Sequence, residues 1–351
     1  MEPVALGIIG CGVIGRRHIH TASEEPSVKI VALADLVPDK LRDAAQQYGI
    51  ETTYHEGADL LDDPRVEAVI LAFPTCTRTE MALRAFRKGK HAIIEKPIAM
   101  NAGEVEQMIR ARGDLVAVCG STRMRFSASA QMATDLVSSG ALGELRVVTC
   151  RATNAAGARA KSIPPEWRLM TALNGGGILV NWGCYDLDYL LGITNWALKP
   201  RLVLSKTWTV PPLYESHVAP GSDAETHVTA MILCEGGQII NYERSEYTSA
   251  RTEARWQIIG TSRSMRLHMV GEHEDLILLD EGSSETGVAS RELRPAGKAP
   301  KEGMAGQLED FARAIREHRA PKTGLEQALV VQRLTDAIYA SAAQGVAVQV
   351  E

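Results

Sequence analysis

The first third of the chain alternates short apolar runs with stretches of helical periodicity. The apolar runs are Val4–Ile9, Val28–Ala34, Val66–Ala72, His91–Ile94 and Leu115–Cys119. Between them lie the amphipathic stretches Ile14–Ser23, Pro38–Tyr48, Thr77–Lys88 and Ala102–Arg112. Strands that alternate with helices indicate βαβ units and hence a parallel sheet. The pattern predicts a doubly wound α/β domain over residues 1–121.

The remainder, residues 122–351, has a different pattern, in which most apolar runs follow one another without helices between them. After a predicted helix at Ser127–Ser138, the runs are Leu145–Thr153, Leu202–Thr209, Glu225–Cys234, Gln238–Tyr247 and Arg255–Ile259. Gly236-Gly237 indicates a hairpin turn. We therefore expect an α+β domain with a predominantly antiparallel open sheet.

Two helical patterns, Met304–Glu317 and Leu325–Ala343, close the chain. The pattern leaves open whether the last helix packs back on the first domain. The segment Gly282–Pro300 is rich in Gly, Ser, Glu and Pro, and we expect it to be a mobile surface loop.

Composition narrows the classes of partner. The 351 residues include 38 Lys and Arg against 43 Asp and Glu, a net charge of −5, without a basic cluster that would suit nucleic acid. No apolar stretch approaches the ~20 residues of a membrane span, and the N-terminus has no basic leader pattern. The six cysteines are scattered, without CxxC or zinc spacing, which indicates reduced thiols and no metal site. We expect a soluble cytoplasmic protein.

A glycine-rich motif follows the first strand and opens the first helix. It reads Gly10-Cys11-Gly12-Val13-Ile14-Gly15, which is a GxGxxG pattern. Gly10 permits a tight turn, Gly12 allows the backbone to approach a pyrophosphate, and Gly15 allows close packing of helix on strand. The phosphates then meet the positive end of the helix dipole. The motif in this position predicts a Rossmann-type dinucleotide site.

Asp35 ends the second strand, about 20 residues after the motif, where a carboxylate accepts hydrogen bonds from the adenosine ribose. A carboxylate there repels a 2′-phosphate, and Leu36-Val37-Pro38 supply no Arg to pair with one. NAD is therefore favoured over NADP. Asp35 could also cap the helix that begins near Pro38, and the two roles are compatible.

The fifth strand continues into Glu95-Lys96-Pro97, and Phe73-Pro74-Thr75 follows the fourth. With the glycine motif, these residues resemble the Gfo/Idh/MocA family, which includes glucose–fructose oxidoreductase and inositol dehydrogenase. The likeness extends to Arg123–Phe126, Trp167-Arg168, Gly175-Gly176-Gly177 and Ala337–Gly345.

The resemblance implies hydride transfer between NAD(P) and a carbohydrate-like hydroxyl carbon. It also implies a substrate pocket, and often an oligomer interface, on the open sheet. Residues assigned to the cofactor are then the glycine motif, Asp35, Phe73, Pro74, Thr75, Glu95 and Lys96.

Lys96 stands at the carboxyl end of a parallel strand, where ligands of open α/β sheets bind. Its ammonium there could hold the reacting hydroxyl and stabilise a developing alkoxide. Pro97 restricts the Lys96 backbone to extended conformations, which helps to aim the side chain. From the strand position alone, a lysine that merely reaches to solvent stays an alternative.

The helix after Gly175-Gly176-Gly177 departs from the family pattern. Asn181 stands where the family carries an Asp, and Tyr185 stands where it carries a catalytic His. The i, i+4 spacing puts both on one helical face. A phenol near pKa 10 is a poor base unless a cation favours the phenolate, and Lys96 is the candidate cation. We predict a Lys96/Tyr185 acid–base pair, with Asn181 orienting the substrate.

The sequence offers further candidates for substrate binding, but each of them also has a structural alternative. Arg123, Trp167, Arg168 and Asp188 are candidate substrate-binding residues. Asp188 could equally pair elsewhere, and the tryptophans and Tyr185 could be core residues.

Three functions remain open. The leading one is an NAD-dependent dehydrogenase of a secondary ring hydroxyl, with position 3 of a pyranoside favoured by analogy. The second is an NAD-dependent glycosidase that oxidises, eliminates, hydrates and reduces without net NADH. The third is a non-catalytic, nucleotide-sensing regulator. An open sheet that needs covering predicts a homodimer or homotetramer.

Overall fold

A computed structural model describes residues 2–158, 163–271, 273–297 and 301–351. Its contacts divide the chain into two compact units. The first comprises Met1–Arg123 and Pro300–Gln332, and the second comprises Met124–Ala299 and Arg333–Glu351. The helix after residue 301 therefore groups with the first unit, whereas the sequence pattern assigned residues 122–351 to the second and left only the last helix open to packing back on the first. The reason is apolar packing, because Leu308 and Phe311 of this helix lie in the same core as Val4 and Leu6.

The first unit is built on a six-stranded parallel sheet with the strand order β3-β2-β1-β4-β5-β6. Its strands are β1 (Val4–Ile9), β2 (Val28–Ala34), β3 (Thr53–Tyr54), β4 (Ala68–Leu71), β5 (His91–Ile94) and β6 (Ala117–Cys119). Its helices are α1 (Val13–Glu24), α2 (Pro38–Tyr48), α3 (Gly57–Asp62), α4 (Arg78–Arg87), α5 (Ala102–Arg112) and α9 (Gly303–Glu317). This strand order is that of a dinucleotide-binding Rossmann domain, which confirms the predicted fold class.

Both faces of this sheet are buried. Residues such as Ile8 and Ile70 pack on one side against Phe311 of α9, while Leu71 and Ile94 pack on the other side against helices that include α4 and α5. Helices on both faces leave the strand ends, and not the faces, accessible to ligands.

The second unit contains a nine-stranded, mostly antiparallel sheet in the order β14-β13-β12-β11-β7-β10-β9-β8-β15. Its strands are β7 (Leu145–Ala155), β8 (Pro200–Trp208), β9 (His227–Cys234), β10 (Ile239–Thr248), β11 (Glu253–Gly260), β12 (Arg263–Leu267), β13 (Ile277–Ser283), β14 (Gly287–Leu293) and β15 (Val348–Gln349). The one parallel pair among these described strands is β7 with β10. Its helices are α6 (Ala128–Ser138), the short α7 (Thr171–Asn174) and α8 (Cys184–Ile193); α10 (Leu325–Gln344) belongs to this unit from Arg333 onward.

One face of the second sheet carries the core, and the opposite face is open. Val203, Ile232, Tyr242 and Trp256 point to the buried side. The glycine pair at 236–237 forms the predicted hairpin turn, with Gly237 at a φ of 83°. Burial on one face explains the alternating sequence pattern that predicted these strands.

The predicted loop at 282–300 is wrong over its first part. β13 and β14 form an antiparallel hairpin through residues 277–293, and residues 298–300 lie outside the described ranges. Ile277 and Leu279 of β13 are buried, but the rest of the hairpin is polar and largely exposed at the sheet edge, where cross-strand contacts such as Ser290 Oγ to Asp280 (2.6 Å) replace apolar burial.

All six cysteines lie in described ranges and are free thiols, with Cys76 exposed and the other five buried. Within the same ranges, each helix is too short or too polar to cross a lipid bilayer.

Candidate cofactor and substrate sites

The glycine motif lies at the carboxyl end of β1, and its three glycines are needed for different reasons. Gly10 has a φ of 100°, and a Cβ on it would lie 2.3 Å from the carbonyl oxygen of Ala72. A Cβ on Gly15 would lie 1.8 Å from the carbonyl oxygen of Gly10. A Cβ on Gly12 would meet no described atom within 4 Å. Packing therefore requires Gly10 and Gly15, whereas Gly12 leaves room for a ligand.

The start of α1 borders that room. Within the described chain, no side chain caps this helix and its first turn has no acidic residue. Val13 is 82% exposed there. The first backbone N–H groups of a helix lack intrahelical acceptors, and a diphosphate satisfies them and complements the helix dipole. Gly12, Val13 and Ile14 thus form a cradle that fits the pyrophosphate of a dinucleotide.

Asp35 closes the cradle from the end of β2. Its Oδ2 accepts a hydrogen bond from the Cys11 backbone N–H (2.6 Å), and its Oδ1 accepts one from Val37 N–H (2.8 Å). The residue does not cap α2, because Val37 holds the N-cap position. Leu36 and Val37 are exposed beside it and carry no charge that could pair with a 2′-phosphate. The carboxylate is placed to accept ribose hydroxyls, which fits NAD.

Cys11 contributes its backbone to this arrangement. Burial, with the nearby Asp35 carboxylate, raises the pKa of its thiol to about 12. The side chain therefore stays a neutral packing group, and the N–H is the polar group that it offers to the loop.

Glu95 anchors the other side of the cradle at the end of β5. The carboxylate is 2% exposed, and its Oε1 lies 2.7 Å from His18 Nε2 and 2.9 Å from Arg123 Nη1. Its Oε2 accepts the Lys96 backbone N–H at 3.0 Å. Burial by itself would raise the pKa of Glu95, but the Arg123 guanidinium and His18 outweigh it and hold that pKa well below the usual range. Glu95 thus fixes the backbone from which the Lys96 side chain departs.

Arg78 is a positioning residue that no sequence motif indicated. It is buried, and its guanidinium donates to the backbone carbonyls of Phe73, Glu95 and Pro97. These carbonyls belong to the segments that follow β4 and β5, so one side chain ties both strand ends together. Thr75, beside this clamp, is buried. Arg78 gives no local signal in the sequence because its acceptors come from two different strands.

Replacing Glu95 with Gln is expected to reduce the free energy of unfolding at neutral pH by about 3 kcal/mol, because it leaves Arg123 buried without its counter-charge. Since the folded pKa of Glu95 is lowered, its stabilisation is present above the unfolded pKa of about 4.3 and is lost as the pH falls below that value. Urea unfolding at neutral and acidic pH measures both effects. The stability difference between wild type and variant should shrink in acid, whereas Glu326→Gln, an exposed partner of Arg112, should change little. A difference that stays constant with pH would contradict this role.

The helix that carries Asn181 and Tyr185 has an unusual first turn. Residues Leu179–Gly183 are π-helical, and α8 continues from Cys184. The sequence pattern predicted a helix here and gave no sign of its π-helical turn. π-helical turns often occur at functional sites, and Asn181 lies within this one.

Tyr185 packs against Trp182, which in turn contacts Arg244. Its ring is 5% exposed and its centroid lies 5.5 Å from that of Trp182. The Arg244 guanidinium lies over Trp182 at 4.8 Å, and its Nε lies 2.9 Å from Asp186 Oδ2. Asp186 is fully buried, and burial raises its pKa although the Arg244 guanidinium opposes that shift. Trp182 therefore contacts both the Tyr185 ring and the Arg244 guanidinium.

The other predicted substrate-binding residues differ in exposure and in their ion-pair partners. Trp167 is 42% exposed. Arg168 Nη2 lies 2.6 Å from Glu246 Oε2, and its Nη1 donates to the Tyr247 hydroxyl at 3.3 Å. Asp188 is buried, with Oδ1 accepting from Arg125 Nε at 2.7 Å. This matches the alternative that the sequence left open for Asp188, a pairing role.

These residues divide between the two units. The glycine motif, Asp35, Phe73–Thr75, Glu95, Lys96 and Arg123 belong to the first unit. Trp167, Arg168, Asn181, Tyr185 and Asp188 belong to the second. Among the described residues, no group of three His, Cys, Asp or Glu side chains could hold a metal ion.

Comparison with known proteins identifies a family for both parts of the chain. A family described as "Oxidoreductase family, NAD-binding Rossmann fold" matches residues 4–122. The "GFO/IDH/MocA C-terminal domain" matches residues 130–266.

Similar sequences cover the chain to different extents. An uncharacterized oxidoreductase, ORF334, of Rhizobium meliloti is 27% identical over 98% of both chains. The myo-inositol 2-dehydrogenase of Thermotoga maritima is 27% identical over 53% of this chain and 54% of its own length, so that match spans about half of each protein.

Solved structures match along the full length. Aldose-aldose oxidoreductase from Caulobacter crescentus, complexed with glycerol, has a TM-score of 0.85 and 26% identity over 99% of both chains. A levoglucosan dehydrogenase in complex with NADH and L-sorbose has a TM-score of 0.87 and 22% identity over 100% of both, which supports the fold. Together with the intact cofactor cradle, these matches confirm the resemblance: the chain belongs to the Gfo/Idh/MocA family of oxidoreductases, and its first domain is an NAD-binding Rossmann domain.

Proposed function

We propose that this protein is an NAD-dependent dehydrogenase that oxidises a secondary ring hydroxyl of a sugar, glycoside or cyclitol. The observation that carries the proposal is the anchoring of Lys96, at the carboxyl end of β5, by the buried Glu95 carboxylate on the rim of the dinucleotide cradle. The names of the relatives, which act on an inositol, an aldose and levoglucosan, support this substrate class.

NAD supplies the hydride acceptor when it is bound. In the proposed reaction, the Lys96 ammonium donates a hydrogen bond to the reacting hydroxyl and stabilises the alkoxide that develops there. Arg78 and Glu95 hold the backbone around Lys96, so the ammonium needs little reorganisation.

Tyr185 takes the hydroxyl proton in this proposal, and Lys96 is the cation that favours the phenolate. Asn181, on the same helical face, orients the substrate through hydrogen bonds of its amide. Arg168 and the exposed ring of Trp167 contribute hydroxyl and stacking contacts. Arg123 and Asp188, each buried in an ion pair, support the site through Glu95 and Arg125.

A substrate panel tests this function. The protein is incubated with NAD and with inositols, hexoses, glycosides, anhydrosugars, and acidic or sulfonated sugars, while NADH formation and release of the aglycone are followed in parallel. NADH formed with one class supports the dehydrogenase. Aglycone release without net NADH would instead establish the NAD-dependent glycosidase, and binding of NADH without turnover of any compound would favour the nucleotide-sensing regulator.

The open face of the second sheet supports self-association. Leu204 and Met231 are paired across β8 and β9 and are 50% and 57% exposed, with Trp208 47% exposed on the same face. We propose that a second copy of the chain covers this face in a dimer or tetramer. Met231→Glu is expected to shift sedimentation towards the monomer, whereas Gln46→Glu, exposed on α2, leaves it unchanged. A wild-type protein that sediments as a monomer would contradict this.

A further inference from the structure

A buried carboxylate holds the start of the helix that carries Asn181 and Tyr185. Glu225 lies just before β9, and its Oε2 accepts the Gly177 N–H at 2.8 Å. Its Oε1 accepts both the Leu179 N–H and the Tyr339 hydroxyl, each at 2.9 Å. Its backbone oxygen accepts the Ile178 N–H at 2.9 Å. One residue therefore satisfies three successive N–H groups of this helix start, which need acceptors when they are buried.

The glycines of this segment are explained by the same contacts. A Cβ on Gly177 would lie 1.8 Å from the Glu225 carbonyl oxygen. Gly176 has a φ of 156°, and a Cβ on it would lie 1.9 Å from the Tyr339 hydroxyl oxygen. Larger residues would push Glu225 and Tyr339 away from the helix. The glycines thus allow Glu225 and Tyr339, which come from distant parts of the chain, to approach the helix backbone closely.

Glu225 is buried and Tyr339 is partly buried, so water has little access to the hydrogen bond between them. Burial raises the pKa of Glu225, although the N–H groups of Leu179 and Gly177 oppose that shift. Burial and the adjacent Glu225 raise the pKa of Tyr339, so its hydroxyl stays a donor. Hydrogen bonds to a buried carboxylate are short and directional, and loss of one acceptor leaves a buried donor unpaired.

We infer that Glu225 and Tyr339 are positioning residues that set where Asn181 and Tyr185 stand in the active site. The inference rests on the proposed function, since it assumes that these two residues meet the substrate. Asn181 is four residues and Tyr185 eight residues beyond Gly177, the first N–H that Glu225 holds. A small shift of that turn therefore displaces both side chains together, and misplacement by about 1 Å can cost a factor of about 10² in rate.

Glu225→Gln tests the inference in the full-length protein. The amide keeps the shape of the side chain, but in either orientation its NH₂ group faces a backbone N–H, that of Gly177 or that of Leu179, and two donors cannot pair. We expect kcat to fall about tenfold or more and KM to change less than about threefold, with NADH affinity unchanged. Hydrogen–deuterium exchange should become faster over residues 177–185. Tyr339→Phe, which removes one hydrogen bond, should produce the same changes to a smaller degree.

Matched controls separate positioning from a general loss of stability. Glu25→Gln alters another buried carboxylate, one that accepts from Ser27 N–H and Lys301 in the first unit. Tyr214→Phe removes a hydroxyl contact with Ser249 at 3.0 Å in the second unit. Neither should change kcat or exchange over residues 177–185, even if the unfolding midpoint falls.

The outcomes distinguish failure of the positioning role from failure of the proposed function on which it rests. If Tyr185→Phe is inactive but Glu225→Gln turns over like the wild type, the positioning role is overturned and the proposed function stands. If Tyr185→Phe itself retains full turnover, the proposed role of Tyr185 fails and the inference falls with it. Lower kcat with faster local exchange in Glu225→Gln, and neither change in the controls, supports the inference.

Discussion

Lys96→Met is expected to lower kcat/KM by a factor of about 10³ or more, while NADH binds as tightly as to the wild type. Met replaces the unbranched stem of the lysine side chain as far as Cε and removes the ammonium that we propose stabilises the developing alkoxide. Loss of one such charged donor typically costs a factor of about 10² to 10³, and loss of its assistance to the proton transfer adds to this. Steady-state kinetics with the substrate found in the panel, and fluorescence titration with NADH, measure the two effects separately.

The control for this variant is Lys88→Met. Lys88 is a half-exposed lysine of the same unit that pairs with Asp62 at 2.6 Å, so its loss should leave turnover unchanged. If Lys96→Met turns over at the wild-type rate, Lys96 has no catalytic role. Loss of NADH binding would show instead that the side chain mainly holds the cofactor.

Tyr185→Phe is expected to lower kcat by a factor of about 10² to 10⁴, the range for loss of a general acid or base. The ring can keep its contact with Trp182, since only the hydroxyl is removed. KM should therefore change much less than kcat, which separates loss of the proton acceptor from loss of substrate binding. Kinetics across a range of pH checks this, because the variant should also lose the part of the pH dependence that the phenol produces.

Tyr189→Phe is the matched control on the same helix. Tyr189 is buried one turn further along α8, and its hydroxyl has no hydrogen-bond partner among the described residues. Its removal should leave kcat unchanged. Equal losses in the two variants would indicate disruption of the helix, and full activity of Tyr185→Phe would exclude the phenol as the proton acceptor.

The sequence predicted those elements whose burial is periodic. β1, β2, β5, α2 and α5 have the predicted bounds, because each has a clear apolar run or an amphipathic face. β3 has two residues, too few for any period to show. β13 and β14 were missed because an edge hairpin held by polar cross-strand contacts looks like a loop in sequence.

The same limit applies to the site. Gly12 and Asp35 could be predicted because their roles depend on a local strand–turn–helix pattern. The ion pairs of Arg123 with Glu95 and of Asp188 with Arg125 could not be predicted, since the partners are far apart in sequence and only the fold brings them together. The sequence pattern predicted Glu225 only as the first residue of a strand. The glycine triplet was the one sequence signal of its role, since glycines mark close approach of another part of the chain.

Arg78 and Glu225 play comparable parts in the two units. Each is buried and holds backbone next to a residue that we propose takes part in the chemistry: Arg78 beside Lys96, and Glu225 at the start of the helix that bears Tyr185. The proposed chemistry therefore depends on buried polar contacts that the motifs themselves do not contain. Such supporting residues determine how accurately catalytic groups are held.

The central claim is net hydride transfer from a ring carbon to NAD, and stoichiometry with an isotopically labelled substrate tests it most directly. The substrate found in the panel is deuterated at each candidate ring carbon in turn, and the NADH formed is compared with the substrate consumed. We predict one reduced cofactor for each oxidised ring, with deuterium carried into the cofactor from a single ring carbon. Consumption of substrate without net NADH, or NADH that carries no deuterium from any ring position, would contradict the account.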